Sequence, residues 1–233
     1  MLWYKGWLET KSKLLFGCIF IVFFFVSMSS ISPSGGLRAP AQLNAFVSTA
    51  VICVAMLSIV LPGAGIATQP SFQATKGLHG SMLFTLSLPV SRLRLVAVRA
   101  AIGWLGLATS IGALCCGMWF LFPVLRAGST PKLMLLHLLV QLVCASALYF
   151  VGVFLATFLD DQLRTWCSMI LFATLGWLSK RTPKVDALDI LRAMHENSPL
   201  LSGAVPWLTV AFSCAVVAIA FIGAVKIAQW REY

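Results

Sequence analysis

Adjacent carboxylates are the first candidates for chemistry in this chain of 233 residues. Asp160 and Asp161 are similar to the acidic pair of a metal site, because divalent cations prefer carboxylate oxygens. No second acidic cluster lies on the same predicted side to complete such a site. The simpler interpretation is that the two acids begin a helix, where the helix dipole favours negative charge. We therefore predict no metal site here.

Histidine offers a second set of possible ligands. His79, His137 and His195 are far apart in the sequence. His137 and His195 are predicted to lie towards the same side of the fold, where they could meet at a metal or a haem. A haem-handling factor would need one of them as its ligand, and this alternative stays open.

Sequence motifs of hydrolytic enzymes are missing. The chain has no G-x-S-x-G, no H-E-x-x-H and no P-loop G-x-x-x-x-G-K-[ST]. We assign no catalytic residues and predict that the chain is not an enzyme and cannot hydrolyse ATP by itself. The seven cysteines lie in apolar runs without C-x-x-C spacing, so we interpret them as small buried hydrophobic residues.

The composition is that of a membrane protein. Hydrophobic residues make up 60% of the chain and charged residues 10%, whereas soluble domains have about 25% charged residues. The mean hydropathy is +0.93. Long uncharged runs without strand-like alternation favour helices, since a helix needs about 20 apolar residues to cross a membrane. We predict an all-α polytopic membrane protein with a single transmembrane domain over 1–233 and six transmembrane helices: 14–31, 43–67, 94–122, 133–158, 162–178 and 204–226.

The fifth span is marginal, because its uncharged run is short. It crosses the membrane only if Gln162 to Arg164 extend it, with the Arg164 side chain reaching towards water. All seven acidic residues lie outside the six predicted spans. Ion-coupled carriers normally hold ionisable groups within the membrane, so a secondary carrier is disfavoured, although backbone carbonyls of a broken helix could still bind Na⁺.

Basic residues predict the orientation in the membrane. With the N-terminus inside, ten of the 17 Lys and Arg residues are cytoplasmic and seven are outside, which favours cytoplasmic termini at both ends. If the first helix were a cleaved signal peptide, five spans and an external N-terminus would remain. The net charge of +10 indicates attraction to anionic membrane lipids. Without a clustered basic face, we predict no binding of nucleic acid.

The segment between the second and third predicted spans combines basic and apolar residues. Leu78, Met82, Leu83 and Leu86 fall on one side of a helix of about three turns. This pattern predicts an amphipathic helix that lies on the inner membrane surface. Pro89 prevents the helix from continuing, because proline lacks an N–H group and clashes with the preceding turn.

A new helix is predicted to begin after this proline, with Ser91 as its N-cap. Arg92 and Arg94 then occupy the first turn, where positive charge opposes the helix dipole. Lipid phosphates or acidic residues of a docked partner would explain them. Arg99 lies about 12 Å further along the helix than Ser91 and is expected to reach back to the headgroups.

This segment resembles a known family. Gly80, the run LFTLSLPVSR from Leu83 to Arg92 and the basic Arg99 are similar to the membrane subunits of ATP-binding-cassette (ABC) transporters of the second exporter class, ABC-2 type, the short six-helix permeases. The run lies between the second and third spans on the predicted cytoplasmic side, as in the family. In place of the acidic residues that members often carry just before it, this chain has Gln69 and Gln73.

The resemblance implies that Gly77 to Leu88 is a coupling helix, which docks into a groove on a separate ABC ATPase subunit. ATP and Mg²⁺ would bind to that partner, and this chain would carry no cofactor. The resemblance also implies a permease homodimer or heterodimer in a prokaryotic cell (inner) membrane, with the transport path between the two chains. Residues assigned to the ATPase contact are Gly77, Leu78, His79, Gly80, Leu83, Leu86, Leu88, Pro89 and Arg92. Arg94 and Arg99 are assigned to contacts with lipid or with the partner.

A short outer amphipathic helix is predicted between the fifth and sixth spans. Thr182 can cap it, with Pro183 at its first position. Apolar residues then recur at the i, i+3, i+4, i+7 spacing of one helix face: Ala187, Ile190, Leu191 and Met194. The resemblance implies that such a helix helps to gate the exit. The alternative is a helix that rests on the outer surface without a gating role.

The leading hypothesis is therefore the permease subunit of an ATP-driven exporter, moved by a partner ATPase. The alternative is a structural or assembly membrane protein that uses its basic inner loop to bind lipid. The residues of the spans suit a peptide, a lipid, a drug or no ligand, so the substrate is left open. Small residues in the third span could permit close helix contacts within or between subunits: Gly103, Gly106, Gly112 and Gly117.

Overall fold

The structure is a computed structural model, and it describes residues 2–31, 39–62, 91–159, 161–181 and 189–230. The regular elements in these ranges are helices. In chain order they are α1 (Leu2–Ile31), α2 (Ala39–Val60), α3 (Arg92–Leu121), α4 (Pro123–Gly128), α5 (Pro131–Ala156), α6 (Asp161–Arg181), α7 (Ile190–Met194), α8 (Pro199–Ser202) and α9 (Trp207–Trp230). The all-α prediction is confirmed for these ranges.

Three helices in the described part of the chain are long and apolar enough to cross a membrane: Val96–Leu121 within α3, and the whole of α5 and α9. They carry large exposed apolar residues such as Leu105 and Ile219, which suit a hydrocarbon environment. These helices indicate a membrane protein. The shorter apolar stretches in α1 and α2 are Lys13–Ser27 and Asn44–Val60.

The six predicted spans fall on α1, α2, α3, α5, α6 and α9, and two boundaries differ from the prediction by more than four residues. α1 begins at Leu2 rather than at residue 14, because the lysines and the glutamate that precede its apolar run are good helix formers. α2 ends at Val60 rather than at residue 67. Pro62 follows, and proline disfavours the helical conformation of the residue before it. Residues 63–67 lie outside the described residues.

α5 is the central helix of the bundle. It packs against α2, α3, α6, α7, α8 and α9, and its contact with α9 is the most extensive between any two helices of the described ranges. Its buried side is rich in small residues, among them Cys144, Ala145, Ala147 and Gly152. Small residues let neighbouring backbones approach closely, and close packing is what holds helices together in lipid.

Hydrogen bonds join α5 to α3. Trp104 Nε1 donates to Ser146 Oγ at 2.8 Å, and the Tyr149 hydroxyl donates to the Ala100 carbonyl at 3.0 Å. Tyr149 is 1% exposed, so its hydroxyl depends on this partner inside the protein. Because both bonds need particular residues to face each other, they set the register between the two helices.

Contacts between helix termini define two ends of the bundle. At one end, Pro62 packs on Gly152, and the Arg164 guanidinium lies against the last turn of α2; we call this the Arg164 end. At the other end, the rings of Phe46 and Phe122 have centroids 4.5 Å apart, and α7 packs on α5; we call this the α7 end. α2 therefore ends, and α3 begins, at the Arg164 end.

Glycines on α3 allow close contact with α1 within the same chain. Gly106 faces the Leu14 side chain, and Gly117 faces the Phe25 ring. Gly106 and Gly117 are eleven residues apart on α3, and their partners Leu14 and Phe25 are eleven residues apart on α1. α1 and α3 therefore run parallel and in register.

Gly103 faces the Tyr149 hydroxyl, and replacing it by alanine is expected to destabilise the protein. The new Cβ would clash with that hydroxyl and push it away from the Ala100 carbonyl. Overpacking of this kind costs about 1–3 kcal/mol. Gly112→Ala is the matched control, since a Cβ at Gly112 meets nothing within 4 Å. Thermal unfolding in detergent compares the two variants, and equal stability would show that the α3–α5 contact is loose.

Candidate functional site at the contact between α5 and α7

Asp189 sets the start of α7. Its backbone is extended, and its Oδ1 atom accepts hydrogen bonds from the amides of Leu191 at 3.0 Å and Arg192 at 3.3 Å. A cap of this kind satisfies amides that have no partner inside the helix. α7 therefore begins at Ile190, and the helix predicted from residue 182 does not run continuously into it. Residues 182–188 lie outside the described residues.

The predicted outer gate helix is described in part. Ile190 and Met194 are buried, and Leu191 is half-buried where it packs over Gly176 of α6. α7 thus buries apolar side chains where it packs against α5, α6 and α9. Ala187, the first residue assigned to the gate helix, lies outside the described residues. The gating role itself stays a prediction.

A buried polar contact lies beneath α7. Gln141 of α5 donates from Nε2 to the Met194 carbonyl at 2.9 Å, and its Nε2 atom is 3.4 Å from His137 Nε2. Both side chains are 1% exposed. Met194 is the last residue of α7, so its carbonyl has no partner inside that helix. Gln141 therefore supplies a hydrogen bond that α7 lacks and ties α7 to α5.

This contact is incompletely satisfied. His137 Nδ1 and Gln141 Oε1 are buried without a hydrogen-bond partner in the described ranges, as is the Ser198 hydroxyl just after α7. A buried polar atom without a partner costs about 1–3 kcal/mol. The α5–α7 contact is therefore weaker than a fully bonded one would be.

The two histidines considered as metal or haem ligands have different surroundings. His137 contacts Gln141, a neutral side chain. His195 is the C-cap residue of α7, and its amide donates to the carbonyls of Arg192 and Leu191. Within residues 2–31, 39–62, 91–159, 161–181 and 189–230, no group of three or more His, Cys, Asp or Glu side chains could hold a metal ion.

The residues assigned to the ATPase contact from Gly77 to Pro89 lie outside the described residues, whereas the start of the next helix is described. Ser91 Oγ accepts from the Arg94 amide at 3.4 Å, which confirms Ser91 as the N-cap of α3. Arg92 is the first residue of α3. Arg94 is exposed, and Arg99 is 5% exposed. The contacts of these arginines with lipid or with a partner stay predictions.

Arg164 is predicted to reach towards water, and the structure shows that this is wrong. The residue is 1% exposed, with Nη1 donating to the Ile59 carbonyl at 2.9 Å and Nη2 donating to the Thr165 hydroxyl at 3.3 Å. Ile59 lies in the last turn of α2, where carbonyls lack partners and the helix dipole favours a cation. The end of α2 therefore offers the guanidinium acceptors inside the protein.

Three cysteines depart from the prediction that all seven are buried: Cys18, Cys116 and Cys214 are exposed. Lipid tails are as apolar as leucine side chains, so a span has no polar outer face that would mark which side is buried. Hydropathy alone therefore cannot separate a buried cysteine from one that faces lipid.

Comparison of the chain with protein-family models, with curated proteins and with solved structures finds no match. The function must be inferred from the residues of this chain and their contacts. Sequence reasoning did not identify Gln141 or Arg164 as site residues. The signal that each offers is a lone polar or charged side chain within or beside a long apolar run, which is costly in a membrane unless it has a role.

Gln141→Leu is expected to loosen α7, because it removes the donor to the Met194 carbonyl at similar volume. If α7 loses about 1 kcal/mol of stabilising free energy, amide exchange in residues 190–194 should become about five times faster. Gln162→Leu is the matched control, since Gln162 is exposed on α6. Hydrogen exchange followed by mass spectrometry compares the variants. Equal exchange in both would mean that Gln141 does not hold α7.

Proposed function

We propose that this chain is the permease subunit of an ATP-driven exporter of the second ABC exporter class. The observation that carries the proposal is the run LFTLSLPVSR, Leu83 to Arg92, which follows α2 and ends at the first residue of α3. A separate ATPase subunit binds ATP and Mg²⁺, and two permease chains enclose the transport path. The six spans are α1, α2, α3, α5, α6 and α9, with both termini in the cytoplasm of a prokaryotic cell.

Contacts at the Arg164 end support a docking place for the ATPase there. Residues 63–90 connect the end of α2 to the start of α3, and both of these belong to the Arg164 end. The turn from α5 to α6 lies at the same end, because Arg164 contacts the last turn of α2. An ATPase that docks on residues 77–88 is therefore close to the start of α6 as well.

α6 offers a mechanical connection between the two ends. Near its start, Arg164 is bonded to Ile59 of α2. Near its end, Gly176 packs beneath Leu191 of α7. These two positions are about 18 Å apart along α6 at 1.5 Å per residue. A displacement of α2 by the ATPase would therefore be passed through α6 to the outer helix.

α7 is the proposed outer gate. Moving a two-state gate from 1:99 to 99:1 takes about 5.5 kcal/mol of differential binding. The incompletely bonded contact of His137 and Gln141 with α7 lowers the free energy needed to release it. ATP binding by the partner subunits supplies the free-energy difference between the closed and open states of the gate.

Leu83→Glu is expected to detach the ATPase while leaving the chain inserted in the membrane. Burying a carboxylate in an apolar docking groove is costly. The amount of ATPase that copurifies with a tagged chain should therefore fall about tenfold, which corresponds to a loss of about 1.4 kcal/mol in binding free energy. Ser87→Glu is the matched control, because Ser87 lies off the apolar side of the predicted helix. If no ATPase copurifies with the unaltered chain, the exporter proposal fails and the lipid-binding assembly role is favoured.

Arg164→Gln is expected to break the connection through α6, because it removes the charged donor to the Ile59 carbonyl. In the complex with the ATPase, ATP should then no longer change amide exchange in residues 190–194, although the ATPase stays bound. Arg126→Gln is the control, since Arg126 is exposed and lies just after α3 at the α7 end. An ATP response that survives in the Arg164 variant would rule out α6 as the connection.

A further inference from the structure

A groove of about 660 Å³ runs between α1 and α3. This volume lies within the range of about 300–1,000 Å³ that is usual for ligand sites. The wall on α1 is formed by residues spaced three, four or seven apart, which lie on one side of the helix: Tyr4, Trp7, Leu14, Cys18 and Ile21. The close approach of Leu14 to Gly106 forms part of the groove.

The wall on α3 presents little that could bind a polar ligand. Thr109 and Ser110 are its polar side chains, and each hydroxyl donates to the Gly106 carbonyl of its own helix, at 3.0 Å and 2.8 Å. With those donors engaged, the wall on α3 offers mainly methyl and methylene groups. It therefore suits an apolar chain rather than a polar substrate.

The wall of the groove on α3 is about as long as one leaflet of a membrane is thick. It runs from Ile102 to Ala113, about 16 Å at 1.5 Å per residue. The hydrocarbon core of a bilayer is about 30 Å thick, so one leaflet accounts for about 15 Å. An acyl chain that lies parallel to α1 and α3 would fill the groove over the depth of a single leaflet.

A cation lies on α1 level with the start of the groove's wall on α3, where the headgroup would lie. Lys11 occupies the same side of α1 as the groove residues, four positions after Trp7 and three before Leu14, and it is exposed. Because Leu14 faces Gly106, Lys11 is closer than Leu14 to the end at which α3 begins. Arg94, also exposed, adds positive charge at that end. An anionic headgroup is therefore favoured over a neutral one.

We propose that the groove between α1 and α3 is a lipid site, which takes one acyl chain of an anionic phospholipid and binds the phosphate through Lys11. The tail lies along Leu14, Cys18 and Ile21 on one wall and along Gly106, Thr109 and Ala113 on the other. Tyr4 and Trp7, 68% and 52% exposed, lie at the level of the headgroup, where aromatic rings are favoured. This site does not depend on the exporter proposal.

Cys18 provides the test, because it lines the groove and is exposed. The full chain in detergent is treated with N-ethylmaleimide, and labelling at each cysteine is measured by peptide mass spectrometry. Adding dioleoyl phosphatidylglycerol should slow labelling of Cys18 about tenfold once the site is largely occupied, and dioleoyl phosphatidylcholine should have little effect. Cys214, exposed on α9, is the internal control whose labelling should not change.

Two variants test the headgroup contact and the acyl-chain contact separately. Lys11→Gln should reduce the protection by phosphatidylglycerol to that of phosphatidylcholine. Ala113→Phe should fill the groove and lower the amount of phosphatidylglycerol retained in native mass spectrometry. Gly112→Phe, where an added Cβ meets nothing within 4 Å, is the matched control and should retain the lipid.

Three results would overturn the proposal. Labelling of Cys18 that does not respond to lipid would mean that the groove takes no acyl chain. Equal protection by the two lipids would remove the role of Lys11 and of the anionic headgroup. Disulfide-linked dimers through Cys18 under mild oxidation, formed in the presence of phosphatidylglycerol, would show that a second copy of the chain covers the groove instead.

Discussion

The bundle depends on the way in which α5 satisfies its polar side chains. In a hydrocarbon environment a polar group without a partner is costly, and several polar side chains of α5 meet a partner on another helix, although His137 Nδ1 and Gln141 Oε1 have none in the described ranges. Gln141 reaches α7, Ser146 and Tyr149 reach α3, and Ser213 of α9 lies 3.8 Å from Cys144 Sγ. Because these contacts stand at fixed positions along α5, they set the register of three neighbouring elements at once. Contact between apolar surfaces alone would specify that register far less sharply.

Local features of this fold could be predicted from the sequence, and distant ones could not. Hydropathy located the long helices, and Ser91 was recognisable as a cap because capping involves only the next few residues. The start of α1 was missed, since a polar stretch forms a helix as readily as an apolar one. The hydrogen-bond partners of Gln141 and Arg164 could not be predicted from the sequence for a different reason. Their acceptors stand 53 and 105 residues away in the chain, and no local pattern marks a pairing across that separation.

The two ends of the bundle are built differently. At the Arg164 end a buried charge is bonded to the last turn of α2, and Pro62 packs directly on Gly152. At the α7 end a helix of five residues rests on a contact that leaves His137 and Gln141 with unpaired atoms. The Arg164 end is therefore the more firmly bonded of the two, and the α7 end is the more easily opened. A groove with a cation at one end adds a place where the composition of the surrounding lipid could act on α1 and α3.

The position of α5 in the chain has a consequence for how the protein is made. Synthesis proceeds from the N-terminus, so α1, α2 and α3 leave the ribosome before α5, on which α2 and α3 pack. Until α5 follows, the Trp104 indole and the part of α3 that packs on α5 lack the partners that they have in the finished bundle, whereas the contact of α3 with α1 can already form. The early helices therefore lack their contacts with α5 until it is inserted. The bundle is completed only when α9, the most extensive partner of α5, has followed.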